Sequence, residues 1–214
     1  MPQVAPDRLD RFTPRTYLLA AACLAVVVAV LLEAAFLRQV PLMQMLDDPA
    51  SFYEVSPLSG IVSYGGVWLM SSAAAVCAFA AHVGLRHRRL LTGVAAFSLY
   101  FAMDDLFMFH EAVWPRVGIP EEIIMLAFAA ALLAILLAAR AQAAPGKAWG
   151  LYLALALMAG SILIDVGLNR DAASDAATVL EDVLKFLGIG IWALFWTGVA
   201  SGAVARPIPD DARA

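Results

Sequence analysis

The residues with the clearest chemical potential lie in one short stretch, SLYFAMDDLFMFHEAVWPR, at positions 98–116. It places Asp104, Asp105, His110 and Glu111 inside or at the edge of an otherwise apolar segment. An ionised carboxylate at membrane depth costs several kcal/mol unless it is paired, hydrated, protonated or bound to a metal. We therefore interpret this stretch as a functional site and the rest of the chain as its scaffold.

The spacing of these four residues leaves two arrangements open. On a straight helix, Asp104 and Glu111 share a face, whereas Asp105 and His110 lie on opposite flanks of that face. Either other spans enclose the helix, or the helix breaks before Pro115 and lets His110 and Glu111 turn back. A purely structural alternative is that the two aspartates only anchor packing through buried hydrogen bonds.

Three further acids lie near the same predicted helix ends. Asp165 belongs to a polar face of the fifth predicted span, while Glu181 and Asp182 lie at the start of the sixth. Acids in a first helical turn also accept hydrogen bonds from free N–H groups, so helix capping is the alternative for the last two. We include all three in the candidate site.

Lys185 is the cation closest to these acids in the predicted arrangement. Helical rise places it about 9 Å below the outer surface, which is close to the depth of the two aspartates. We predict that Lys185 points into the bundle and pairs with Asp104 or Asp105. The alternative is that its ammonium group extends to the surface.

The composition excludes an ordinary soluble domain. Of the 214 residues, 63% are hydrophobic and 15% are charged, whereas soluble domains have about 45–50% and 25%. A span needs about 20 mostly apolar residues, so the chain has room for about five to seven spans. Cys23 and Cys77 both fall within predicted spans and indicate no disulfide framework.

We predict an all-α polytopic membrane helix bundle with about six transmembrane helices. Residues 1–16 form a cytoplasmic N-terminal segment, 17–204 form one transmembrane domain, and 205–214 form a cytoplasmic tail. A short helix lying on the membrane is expected between the first two spans. The predicted spans cover about 17–37, 61–85, 90–109, 120–140, 148–168 and 179–204.

The distribution of charge predicts the orientation. With a cytoplasmic N-terminus, the cytoplasmic side receives ten of the fourteen Lys and Arg residues, and the opposite side receives fourteen of the eighteen Asp and Glu residues. The positive-inside rule therefore favours six spans with both termini in the cytoplasm. In a multi-pass protein of a bacterial inner membrane, the acidic half would face the periplasm.

These observations leave three hypotheses for function. The leading one is an exterior-facing acidic and histidine site that binds or translocates a cation or protons. The second is a metal-assisted lipid hydrolase or transferase at the outer leaflet, with His110, Asp105 and Glu111 as candidate ligands of a metal cation. The third is a non-catalytic subunit or assembly factor of a membrane complex.

The predicted partners follow from the same features. The lipid bilayer is a partner under all three hypotheses, and a second copy of the chain or another subunit of a membrane complex is a further candidate. The sequence has no basic, aromatic-rich surface of the kind that binds nucleic acid.

Overall fold

The structure is a computed structural model that describes residues 14–40, 53–56, 58–84, 86–142, 148–167 and 175–204. The chain divides into two compact units, one up to Ser59 and one from Gly60. The described residues are almost entirely helical and contain no strand. The predicted all-α class is therefore confirmed.

The described residues of the first unit include one long helix, α1 (Pro14–Leu37). Proline fits the first turn of a helix because its missing N–H has no intrahelical partner there. After α1, Gln39 has a positive φ of 56° and turns the chain. The short helix expected on the membrane surface between the first two spans is not seen in the described residues 53–56, which form a turn in which Glu54 has a positive φ of 53°. Residues 41–52 lie outside the described residues.

In the part of the second unit that the structure describes there are five long helices, each within a few residues of a predicted span. They are α2 (Ile61–Val83), α3 (Arg88–Phe107), α4 (Glu121–Gln142), α5 (Trp149–Gly167) and α6 (Asp175–Val204). The largest difference is that α6 begins four residues early, and every other helix end of this unit lies within two residues of its prediction. Glu181 and Asp182 therefore lie beyond the first turn of α6, and the capping alternative considered for both is wrong.

Four helices of the described part are long and apolar enough to cross a membrane, namely α2, α3, α4 and α6. The apolar stretches within α1 (Ala21–Val30) and α5 (Trp149–Ile164) are shorter. These lengths and compositions are those of a membrane protein, because about 20 apolar residues in a helix span the hydrocarbon core.

Side-chain contacts define how the helices of the second unit run. Ser63 at the start of α2 contacts Asp105 at the end of α3, so these two helices are antiparallel. Lys185 near the start of α6 also contacts Asp105, and Gly84 after α2 approaches Ala203 at the end of α6. One end of this unit therefore collects the start of α2, the end of α3 and the start of α6.

The core lies where α2, α3, α5 and α6 meet. Its largest fully buried side chains are Met70, Leu91, Leu151, Trp192 and Trp196. The indole N–H of Trp192 donates a hydrogen bond of 3.0 Å to the Ser98 hydroxyl, which satisfies both polar groups within the core.

Close helix contacts in this unit depend on small residues. A methyl group built at Gly188 of α6 would lie 2.7 Å from Met158 Cγ and 3.1 Å from the Ala154 carbonyl oxygen of α5. The backbone atom cannot move without shifting the helix. In contrast, nothing lies within 4 Å of the same position at Gly198, which is also on α6.

We predict that Gly188→Ala lowers the free energy of unfolding by about 1–3 kcal/mol, because the added methyl group forces α5 and α6 apart. Gly198→Ala is the matched control and should be neutral or slightly stabilising, since alanine favours a helix over glycine. Thermal unfolding of the detergent-solubilised variants measures the difference. Equal melting temperatures for the two variants would contradict the packing of α5 on α6.

Candidate functional site

The site is organised by a break at the end of α3. The helix ends at Phe107, Met108 adopts a left-handed conformation with φ of 50°, and a five-residue π-helix follows (Phe109–Val113). A positive φ is unfavourable for a residue with a side chain, by about 1–2 kcal/mol. Some other interaction must therefore stabilise this break.

Asp104 supplies that interaction. One of its carboxylate oxygens accepts a hydrogen bond of 3.0 Å from the His110 backbone N–H, and the other lies 2.5 Å from His110 Nδ1. Asp104 is only 3% exposed. Both of its oxygens thus bind a residue just beyond the break, so this carboxylate fixes both the backbone and the ring of His110.

His110 lies outside the membrane-spanning segments and among several acids. Its Nε2 is 3.4 Å from Glu111 Oε1, while its Nδ1 faces Asp104. The hydrogen bond to Asp104 raises the pKa of His110 above the usual 6.5, burial opposes this effect, and the negative charges of Asp104, Glu111 and Glu121 add to it. This arrangement favours the imidazolium, because both ring nitrogens can then donate hydrogen bonds to carboxylates.

Asp105 points away from this group and towards α6. The Lys185 ammonium group donates a hydrogen bond to Asp105 Oδ1, and the Ser63 hydroxyl donates a long one of 3.4 Å to Oδ2. The predicted pairing of Lys185 is therefore confirmed, with Asp105 as its partner. The alternative, in which the ammonium group extends to the surface, is wrong.

An open cleft borders this ion pair, and we call it the Asp105 cleft. Its walls are contributed by α2, α3 and α6, and its volume of about 20 Å³ is sufficient for about one water molecule. Polar groups and apolar groups share its lining, which consists of Val62, Ser63, Gly66, Asp105, Asp182, Lys185, Phe186 and Ile189.

The structure thus places six of the eight candidate residues in two groups. Asp104, His110 and Glu111 form one group at the break, whereas Asp105, Asp182 and Lys185 form the other at the cleft. Glu181 is partly buried on α6 but does not line the cleft. The side chain of Asp165 lies outside the described part of the structure.

The three metal ligands considered from the sequence, Asp105, His110 and Glu111, are not brought together at one place. Asp105 is bound to Lys185, while His110 contacts Asp104 and Glu111. Among the described residues, no group of three or more His, Cys, Asp or Glu side chains is placed to hold a metal ion.

Sequence reasoning missed two contributors. Ser63 was not among the candidate residues, yet its hydroxyl donates a hydrogen bond to Asp105. Its position at the start of α2, at the same end as the acids, was an available signal. Glu121, in the first turn of α4, was not among the candidate residues either, but its charge acts on His110.

Comparison with known proteins identifies the family. The model of a family described as Domain of unknown function (DUF8692) matches residues 18–199. The chain belongs to this family. No curated protein and no solved structure matches the chain. The evidence for function is therefore the geometry of the two groups in this DUF8692 domain.

The Asp105–Lys185 pair should show energetic coupling in a double-mutant cycle. We expect the losses in unfolding free energy caused by Lys185→Met and Asp105→Asn to be less than additive, with a coupling energy of about 1–3 kcal/mol. The reason is that either change alone leaves the partner unpaired in a partly buried position. Thermal or denaturant unfolding in detergent measures the four free energies. Lys185→Met with Asp104→Asn is the matched control cycle and should be additive. Coupling at Asp104 alone would contradict the observed pairing.

The His110 contact should weaken as pH rises. A histidine with a raised folded pKa contributes its full stabilisation below its ordinary pKa of about 6.5 and loses it as pH rises through the folded value. We expect the protection factor of the His110 amide in hydrogen exchange to fall over that range.

His82 on α2 provides the control, since it is exposed and lies far along the chain from the break. His82→Gln should retain the pH-dependent step, and His110→Gln should lack it. A protection factor that stays constant between about pH 5.5 and 9 in the unmodified protein would show that this histidine does not titrate there.

Proposed function

We propose that this membrane protein binds or translocates a cation or protons at Asp105, in exchange with the Lys185 ammonium group. The observation that carries the proposal is an ion pair of opposite charges at the edge of an open cleft, with a second carboxylate, Asp182, in the same lining. Ion pairs near membrane depth are rare and commonly mark ion or proton pathways.

The charge balance of the Asp105 cleft favours a cation over an anion. Two carboxylates, Asp105 and Asp182, face one ammonium group, Lys185. When all three are ionised, the lining has one excess negative charge, and the Ser63 hydroxyl adds a further oxygen. Carboxylate and hydroxyl oxygens are the ligands that hard cations prefer.

Lys185 acts in this proposal as a cation attached to the protein. Its ammonium group binds the Asp105 carboxylate, which an incoming cation would also bind. The cation therefore has to displace the ammonium group. Lys185 is 33% exposed, whereas the Asp105 side chain is 11% exposed. Once released, the ammonium group can therefore reach water without crossing the apolar core. Protonation of Asp105 would release it in the same way.

We also propose that α1 and α5 cross the membrane, which gives six spans in one transmembrane domain. At about 1.5 Å per residue, the 24 residues of α1 and the 19 residues of α5 extend about 36 and 28 Å. Both values are close to a hydrocarbon thickness of about 30 Å. The positive charges favour cytoplasmic termini, and the Asp105 cleft then opens to the exterior of an inner membrane.

The test is equilibrium binding of radioactive sodium to the purified full chain in detergent, with potassium and choline as competitors and at several pH values. We expect saturable binding in the unmodified protein and its loss in Asp105→Asn. In Lys185→Met we expect binding to strengthen about five- to tenfold, because the competing ammonium group is gone.

Glu122→Gln is the matched control, since it removes an exposed acid at the start of α4, outside the cleft. It should bind as the unmodified protein does. If protons are the bound species, sodium will not bind, but Asp105→Asn will abolish the proton uptake measured in lightly buffered detergent solution. The absence of sodium, potassium and proton binding in the unmodified protein would overturn the proposal. Equal binding by Asp105→Asn and the unmodified protein would also overturn it.

A further inference from the structure

The second unit has a strong separation of charge between its two ends. The end with the Asp105 cleft carries the acids described above. Towards the opposite end, the sequence contains no Asp or Glu over 62–103, 123–164 or 183–204. In the described part of that end, four exposed arginines remain, namely Arg86, Arg88, Arg89 and Arg140. We call these four residues the basic patch.

A hydrogen bond between two helices assembles the basic patch. His87, with a φ of 57°, precedes α3, and its Nδ1 lies 2.6 Å from Gln142 Oε1 at the end of α4. The arginines next to His87 are thereby brought close to Arg140, which lies two residues before Gln142. Positive charge from two separate parts of the sequence thus meets at one place.

The guanidinium groups of this patch have no acidic partner among the described residues. An arginine presents several N–H donors in a planar fork that matches the oxygens of a phosphate group. A cluster of such groups without carboxylates attracts anions, and the attraction is strongest where water is partly excluded.

The depth of the patch corresponds to the headgroup region of a bilayer. It lies where α3 begins and α4 ends, at the limits of two helices long enough to span the membrane. Trp149, at the start of α5 and at the same end, is 76% exposed. Exposed tryptophans at span ends are typical of the membrane interface.

Apolar surface continues from the patch towards the middle of the helices. Leu133 and Leu137 on α4 are both more than half exposed. They precede Arg140 by seven and three residues, which places all three on one helical face. On α3, nothing lies within 4 Å of a side chain built at Gly93, four residues after Arg89. An acyl chain can therefore lie beneath a phosphate held by the arginines.

We propose that the basic patch binds the phosphate group of an anionic membrane lipid, with the acyl chains against the exposed apolar faces of α3 and α4. This inference does not depend on the proposed function of the Asp105 cleft, because the two sites lie at opposite ends of the unit. The combined charged and apolar surface favours a lipid over a free phosphate ion.

The test is native mass spectrometry of the full chain in detergent, titrated with phosphatidylglycerol or phosphatidylcholine of identical acyl chains. We expect phosphatidylglycerol to bind about tenfold more tightly, because each arginine near the headgroup adds to the attraction. The double substitution Arg88→Gln with Arg140→Gln should remove this preference. Circular dichroism checks that the variants remain helical.

Arg116→Gln is the matched control, because Arg116 is an exposed arginine at the opposite end of α3. It should keep the preference for phosphatidylglycerol. Glycerol phosphate, added as the headgroup without acyl chains, should compete weakly. Equal binding of the two lipids by the unmodified protein would overturn the proposal, as would full competition by glycerol phosphate or an unchanged preference in the double variant.

Discussion

Two adjacent carboxylates at the end of a membrane helix must each find a separate partner, and much of this structure follows from that requirement. Consecutive residues of an α-helix point about 100° apart, so Asp104 and Asp105 cannot face the same group. Asp105 points towards α6 and pairs with Lys185. Asp104 points towards the residues that follow α3, and its two hydrogen bonds to His110 stabilise a break that would otherwise be unfavourable. The break in α3 and the packing of α6 on α3 are thus linked to the same pair of acids.

The long helices of the fold could be predicted from the sequence, because apolar runs of about 20 residues between charged or Gly/Pro segments usually form membrane-spanning helices. The partner of Lys185 could be predicted only as one of two aspartates, since equal depth does not fix the rotation of α3. The break itself remained one of two alternatives, because no glycine marks it and Met108 adopts its positive φ only with the support of Asp104. The early start of α6 was missed because residues 175–178 include the polar Asp175 and Thr178 and lie before the apolar run.

The division of the candidate site into two groups also could not be read from composition. All eight residues share one end of the predicted bundle, and proximity along the membrane normal suggests one cluster. The two adjacent aspartates of α3, however, contact different partners. His110 with Asp104 is tied to the end of its own helix, a local arrangement six residues apart. Lys185 with Asp105 joins residues 80 positions apart. Only the second contact depends on how separate helices pack, so only the second can respond directly to a movement between them.

That difference assigns distinct mechanical roles to the two acids. If Asp104 changed its partner, the backbone at Met108 would lose its support and the end of α3 would rearrange locally. If Asp105 released Lys185, the backbone of α3 would not need to change, because the bond joins two side chains. Release is favourable only when another positive charge takes the place of the ammonium group, since an unpaired carboxylate in a partly buried position is costly. The cleft beside the pair, with its second carboxylate, provides space where that replacement can occur. In the proposed function, Asp104 therefore keeps its partner and holds the shape of the site, while Asp105 exchanges its own.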